Sequence, residues 1–299
     1  MNPFSGLSAF PLTPLHEQKV DEGAFAVLVE RAVEAGVDSI SVLGSTGSYA
    51  YLNRSERALV TRLAVSHAGG VPVIAGIGAV RTRDVLEFAE DAQAAGVAGV
   101  LLAPVSYQAL TPDDVFGFYE EVTVNLSVPL VVYDNPSTTH FSFPRDLYRA
   151  ITMLPKVASI KIPGVPPIAT DAASHVASLR EILPPQLSIG VSGDVFGATG
   201  LSAGCDVWYS GIGGTLPERA VEITRAAQAG DAVLASELSE QLRPIWQLFA
   251  AHGSIRVVAA IAEELGLASR SCLPLPIRGL TDEARADVLA ALNTIGVTA

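Results

Sequence analysis

Apolar residues in this chain fall into short dense runs, each closed by Gly, Pro, Asp or a hydroxyl residue. Between the runs, apolar positions recur every three or four residues. The runs cover residues 7–14 (LSAFPLTP), 39–44 (SISVLG), 71–78 (VPVIAGIG), 99–104 (GVLLAP), 129–136 (PLVVYDNP), 157–164 (VASIKIPG), 187–194 (LSIGVSGD) and 205–213 (CDVWYSGIG). They predict buried strands that end in turns. The stretches 23–35, 54–68, 82–95, 112–125, 144–153 and 170–183 predict helices. The second is the best defined: Asn53 can cap it, Glu56 stands three residues on as the capping-box partner, and Leu59, Leu63 and His67 continue one face.

Successive strand starts lie roughly 30 residues apart, the length of one βα unit with its loops. Eight such units predict a (β/α)8 TIM barrel. An open doubly wound sheet is the structural rival, but it would want a Gly-rich dinucleotide turn after the first strand, and none is present. Beyond Pro217 the helical period continues through 218–229, 232–251, 254–265 and 281–294, more than the single helix needed to finish a barrel. The expected organisation is a barrel over 1–225 and a small C-terminal helical extension over 226–299. Within that extension 273–277 (LPLPI) should be an extended connector, because proline disfavours helix at its own position and before it.

With nearly half of its 299 residues apolar and 17% charged, the chain has material for a large core. A net charge of −12 excludes the broad basic face that nucleic acid or an anionic membrane requires. An anionic substrate would have to be held by local donors instead. Cys205 and Cys272 have neither disulfide-framework nor zinc spacing, so no metal is expected, and a cytoplasmic location fits. The N-terminus lacks a basic region followed by an apolar core, and no run is long enough to span a bilayer, so neither secretion nor membrane insertion is expected.

Barrel enzymes carry their chemistry at the C-terminal ends of the strands. The most informative residue there is Lys161, one of three lysines, which interrupts an otherwise apolar run. Desolvation lowers an ammonium pKa, and the resulting neutral amine condenses with ketones. A lysine paired with a buried carboxylate, or snorkelling from the strand end, would leave the same pattern. Tyr133 closes the preceding strand and could serve as a proton shuttle, or simply be a core tyrosine with its hydroxyl at the surface. The turn at residues 44–47 (GSTG) offers hydroxyls from Ser45 and Thr46 and free N–H groups suited to a carboxylate, although a plain βα turn would look similar.

Five motifs in order then resemble one family over nearly the whole chain. GSTGSYAYLNRSER is similar to its GTTGE segment, the stretch ending APVSYQ to its PPYY-like turn, and VVYDNPSTT to its YNxP segment. SIKIPG resembles its lysine strand, and SGDVFGATGLSAGCDVWYSGIGGTLPE its late SGDD…P region. The family is the dihydrodipicolinate synthase and N-acetylneuraminate lyase superfamily of pyruvate-dependent class I aldolases. The resemblance implies a Schiff-base lysine at Lys161, a catalytic tyrosine at Tyr133, and carboxylate binding and proton relay by Ser45 and Thr46. It also implies a relay tyrosine at Tyr107 reaching in from a neighbouring subunit, and a pocket-lining backbone at Tyr209. It further implies a homotetramer built as a dimer of dimers, no metal or organic cofactor, and a 2-oxo acid and an aldehyde as substrates.

Departures concern the second substrate. The synthases carry an arginine after YNxPS for the aldehyde's carboxylate; here Thr138 stands in its place, followed by Thr139 and His140. A hydroxyl cannot replace a bidentate charge-assisted contact, so aspartate semialdehyde is not the expected partner, and His140 is a candidate for substrate recognition. Ser48 replaces the GTTGE glutamate, and Pro163 and Gly164 reshape the loop beside the lysine. The alternatives are dehydration of a 2-oxo-3-deoxy sugar acid through the same imine, or a regulatory binding protein that has lost turnover.

Overall fold

The computed structural model describes residues 2–298. Eight parallel strands close into a barrel: β1 (Gly6–Ala9), β2 (Ser39–Val42), β3 (Val73–Gly76), β4 (Gly99–Leu102), β5 (Leu130–Tyr133), β6 (Val157–Ile162), β7 (Ser188–Val191) and β8 (Val207–Ser210). β1 pairs with both β8 and β2, which closes the ring. The surrounding helices are α1 (Glu22–Glu34), α2 (Arg54–His67), α3 (Thr82–Ala94), α4 (Pro112–Val124), α5 (Arg145–Ile151), α6 (Ala169–Arg180), α7 (Gly197–Ser202) and α8 (Pro217–Gln228). The extension adds α9 (Ala232–Gln241), α10 (Arg243–His252), α11 (Ser254–Glu264) and α12 (Asp282–Thr294). The fold is therefore a (β/α)8 barrel with a C-terminal helical extension.

Alternation along each strand makes two cores. Outward residues such as Ile160, Ile162 and Val132 pack under the helices, while Phe10, Ile74, Leu101, Val131, Tyr133 and Tyr209 fill the barrel interior. A third cluster joins Leu12 after β1 and Leu28 of α1 to Val258 and Ala262 of α11 and to Cys272 and Leu273, fixing the extension to the barrel. Residues 273–277 are non-helical as expected, but they are not extended throughout: the Ile277 N–H donates to the Pro274 carbonyl at 2.9 Å and closes a turn.

The α2 capping box forms as expected, with Asn53 accepting from the Glu56 N–H at 3.0 Å and Glu56 accepting from the Asn53 N–H at 2.8 Å. Its buried face, however, carries Arg57, Val60, Thr61 and Ala64, while Leu59, Leu63 and His67 lie on a half-buried flank. Arg57 tolerates burial because its guanidinium donates to the Gly76 and Gly78 carbonyls, left open at the end of β3, and stacks 3.7 Å over Phe88.

The single helix expected over 232–251 is two, broken at Leu242. In a continuous helix the ring of Pro244 would collide with the Glu240 carbonyl and remove a hydrogen bond, so the chain turns and proline takes a first-turn position where no N–H is needed. The Trp246 indole N–H caps the break by donating to the Ser239 carbonyl at 2.9 Å. The periodicity also gave no helix between β7 and β8, where α7 lies. Its sequence, GATGLS, has little apolar period because Gly197 packs against the Trp208 ring; a Cβ there would come within 2.4 Å of it.

Candidate active site

The β5–β6 register pairs Tyr133 directly with Lys161, so two adjacent strands deliver the phenol and the amine to the same end of the barrel. Lys161 shares the inward face of β6 with Ser159, and its ammonium group lies 3.9 Å from the Phe10 ring centre, 4.2 Å from that of Tyr133 and 5.7 Å from that of Tyr209. Those ring faces attract a cation, but burial opposes the charge more strongly. Desolvation pulls the Lys161 pKa down to about 7, against a smaller upward pull from Asp194.

The ring of Tyr209 reaches this position because β7 offers no side chain at Gly190, where a Cβ would lie 2.1 Å from Tyr209 Cε2. The phenol of Tyr209 exchanges a 2.8 Å hydrogen bond with Ser159 Oγ, which satisfies both hydroxyls inside the barrel. Tyr209 was expected to contribute only its backbone; its ring also forms part of the lysine's surroundings.

Burial raises the Tyr133 phenol to about 12, so at neutral pH it carries its proton. The Asn135 amide donates to the phenol oxygen at 2.9 Å, which leaves the Tyr133 O–H free to donate in turn. Ser45 Oγ lies 3.4 Å from the phenol oxygen and 3.4 Å from the same amide. The N–H groups of Ser45 and Thr46 donate to no protein acceptor among the described residues. Ser45 and Thr46 line the same cavity as Lys161, and their hydroxyls and unengaged N–H groups are donors of the kind that can hold a carboxylate.

Asp194, three residues beyond β7, is a buried carboxylate that sequence reasoning left without a role. It accepts from Ser210 Oγ at 2.7 Å and from the Ile212 N–H at 3.3 Å, and burial raises its pKa to about 6 in spite of those donors. A Cβ at Gly211 would lie 3.1 Å from Asp194 and 3.2 Å from Thr46 Oγ1, which places carboxylate and hydroxyl on the same small space. Asn135 was likewise missed, although it stood in the quoted YDNP; nothing in that motif tells which way an amide points.

These groups line a cavity of about 500 Å³ at the C-terminal mouth, within the range of small-molecule sites and far larger than a three-carbon acid fills. Lys161, Tyr133, Ser45, Thr46, Tyr209 and Thr138 all line it. His140 does not: it ends the helical turn Pro136–Thr139 in a left-handed conformation (φ 56°) that leads the chain away, and it is exposed. Tyr107 is 91% exposed on the loop after β4 and is not part of the lining. No group of three or more His, Cys, Asp or Glu side chains converges in a metal-binding arrangement among the described residues, and no described helix is long and apolar enough to cross a membrane.

A desolvated lysine beside a protonated phenol at the mouth of a (β/α)8 barrel is the equipment of a class I aldolase-type lyase, and the chain is an enzyme of that class. The profile of the Dihydrodipicolinate synthetase family matches residues 3–295, and the chain belongs to that family. It is 30% identical over 301 residues to 4-hydroxy-tetrahydrodipicolinate synthase of Phenylobacterium zucineum, covering 98% of each chain. It is 29% identical over 286 residues to an uncharacterized DapA-like lyase of Halobacterium salinarum, covering 94% of this chain and 90% of that one. The crystal structure of dihydrodipicolinate synthase from Agrobacterium tumefaciens superposes with a TM-score of 0.94 at 42% identity, covering 98% of both chains.

Proposed function

We propose that Lys161 forms a Schiff base with pyruvate or a related 2-oxo acid and that the enamine derived from it makes or breaks a carbon–carbon bond to an aldehyde. The observation that carries this reading is the Lys161 amine, buried among three aromatic rings with its pKa near 7 beside a phenol positioned to donate. The neutral amine adds to the ketone carbon. Tyr133 protonates the carbinolamine oxygen, which departs as water and leaves the protonated imine. That imine withdraws electrons from C3, so a C3 proton can leave to give the enamine.

Ser45 and Thr46, with their N–H groups, hold the carboxylate, and Asn135 keeps the phenol oriented. Tyr107 joins the proton relay from a neighbouring subunit of a homotetramer, a role in keeping with an aromatic side chain left 91% exposed at the same end of the barrel. Thr138 in place of an arginine, and a cavity lined by no arginine among the described residues, speak against aspartate semialdehyde as the partner, since its carboxylate would meet no described cation beyond the lysine already used.

The test is reduction with borohydride in the presence of pyruvate, followed by intact and peptide mass spectrometry. Reduced pyruvate on Lys161, absent from Lys161→Ala, is the expected result. Absence of an adduct with pyruvate and with longer 2-oxo acids would overturn the reading.

A further inference from the structure

Once the lysine, the phenol and the carboxylate turn are assigned, most of the cavity is still to be accounted for. Its far wall comes from α10 and from the turn after β7. Trp246, Phe249 and Ala250 are spaced three and four apart, so they share one face of α10, and all three line the cavity. The only polar atom of the Trp246 side chain is committed to the Ser239 carbonyl, so what the indole offers the cavity is hydrocarbon. The Phe249 ring packs beside it with a centroid separation of 5.7 Å. Val195 adds a branched aliphatic side chain that is 49% exposed at the mouth.

Among the described residues, the charges lining the cavity are Lys161 and Asp194 alone. The first is consumed in the imine and the second would repel a second carboxylate. The remaining hydroxyls, among them Thr138 and Ser254, can make single hydrogen bonds but cannot neutralise an anion.

Resting on the Schiff-base reading, we infer that the second substrate is an aldehyde with an uncharged, apolar far end, an aryl or branched alkyl aldehyde, seated against Trp246, Phe249 and Val195. The enamine carbon of bound pyruvate attacks the aldehyde carbon to form the C3–C4 bond, and the aldehyde oxygen takes up the Tyr133 proton. Water then hydrolyses the imine, releasing a 4-hydroxy-2-oxo acid and returning Lys161. Cleavage is the reverse, with the same balance.

The test is a set of condensation rates with pyruvate and each of benzaldehyde, isovaleraldehyde, glyceraldehyde and succinic semialdehyde, beside borohydride trapping of pyruvate alone. The expected result is a kcat/KM for the apolar aldehydes at least about tenfold above the other two, the scale set by one desolvated group in a pocket. Phe249→Ala and Val195→Asn should each erode that preference about tenfold, read as a rise in the KM for the apolar aldehydes, without adding a charge beside Lys161. Val195 is half exposed, so its variant tests the wall without risk to the core.

Faster turnover of the semialdehyde or of glyceraldehyde overturns the inference, and so does lack of turnover with every aldehyde or a preference indifferent to both substitutions. Pyruvate trapping separates the two levels: adduct formation with the wrong aldehyde order removes this inference alone, whereas no adduct removes the Schiff-base reading beneath it.

Discussion

The pH dependence of pyruvate capture tests the site at its most sensitive point. A lysine of ordinary pKa near 10.5 is neutral at pH 7 in about one molecule in 3,000, whereas Lys161, lowered to about 7 by burial, is neutral in about half. The structure therefore raises the reactive fraction by about a thousandfold at neutral pH. The assay is the initial rate of adduct formation, trapped with cyanoborohydride and counted by intact mass, from about pH 5 to about pH 10. Below its pKa the amine is protonated, so the rate should fall about tenfold for each pH unit under 7, and it should level off above. Asp194→Asn should move the inflection to lower pH, because the Asp194 carboxylate is the influence that holds the lysine's pKa up. A rate still climbing about tenfold per unit between pH 8 and pH 10 would show an ordinary, solvated lysine and refute the argument from burial.

The same burial has a stability cost. The unfolded chain binds a proton at Lys161 that the folded chain does not hold between about pH 7 and 10.5, so stability should rise with pH across that window. Lys161→Met should stabilise the fold at pH 7 by up to about 5 kcal/mol, with the gain vanishing near pH 10.5; urea unfolding at pH 7 and at about pH 10 checks it, and an equal effect at both would refute it. Tyr133→Phe should lower kcat by about 10²- to 10⁴-fold, the usual worth of a positioned proton donor, with thermal unfolding still cooperative. Gly190→Val, which drives a side chain into the Tyr209 ring, should cost about 1–3 kcal/mol or more by overpacking and slow pyruvate trapping as the ring shifts beneath the lysine. Unchanged melting and trapping would contradict the packing assigned to that ring.

The barrel was legible because each strand announces itself locally: eight apolar runs, evenly spaced and closed by turn residues, leave little choice of fold once helices are seen between them. Lys161 and Tyr133 were legible for a related reason, since polar groups at the ends of neighbouring buried strands must meet, and the β5–β6 register pairs them. The break at Leu242 was in principle readable from Pro244, but helical period on both sides of it outweighed one residue.

What no local pattern carries is the identity of a neighbour across the barrel. Gly190 is an ordinary strand glycine until the Tyr209 ring is seen to need its space, and His140 sits beside Thr138 in sequence while the left-handed turn takes it out of the cavity. Asp194 gains its raised pKa from burial and Asn135 its role from the direction of one amide. The apolar wall is the furthest case, because Trp246 and Phe249 lie about 85 residues from Lys161 in a helix whose period says only that one face is buried. That the face is turned towards a reactive amine follows from the extension docking on α1 and the loop after β1 through Leu12, Leu28 and Val258. The aldehyde preference inferred from that wall therefore rests on the packing of the C-terminal helices, and variants that alter their docking should change it before they change pyruvate capture.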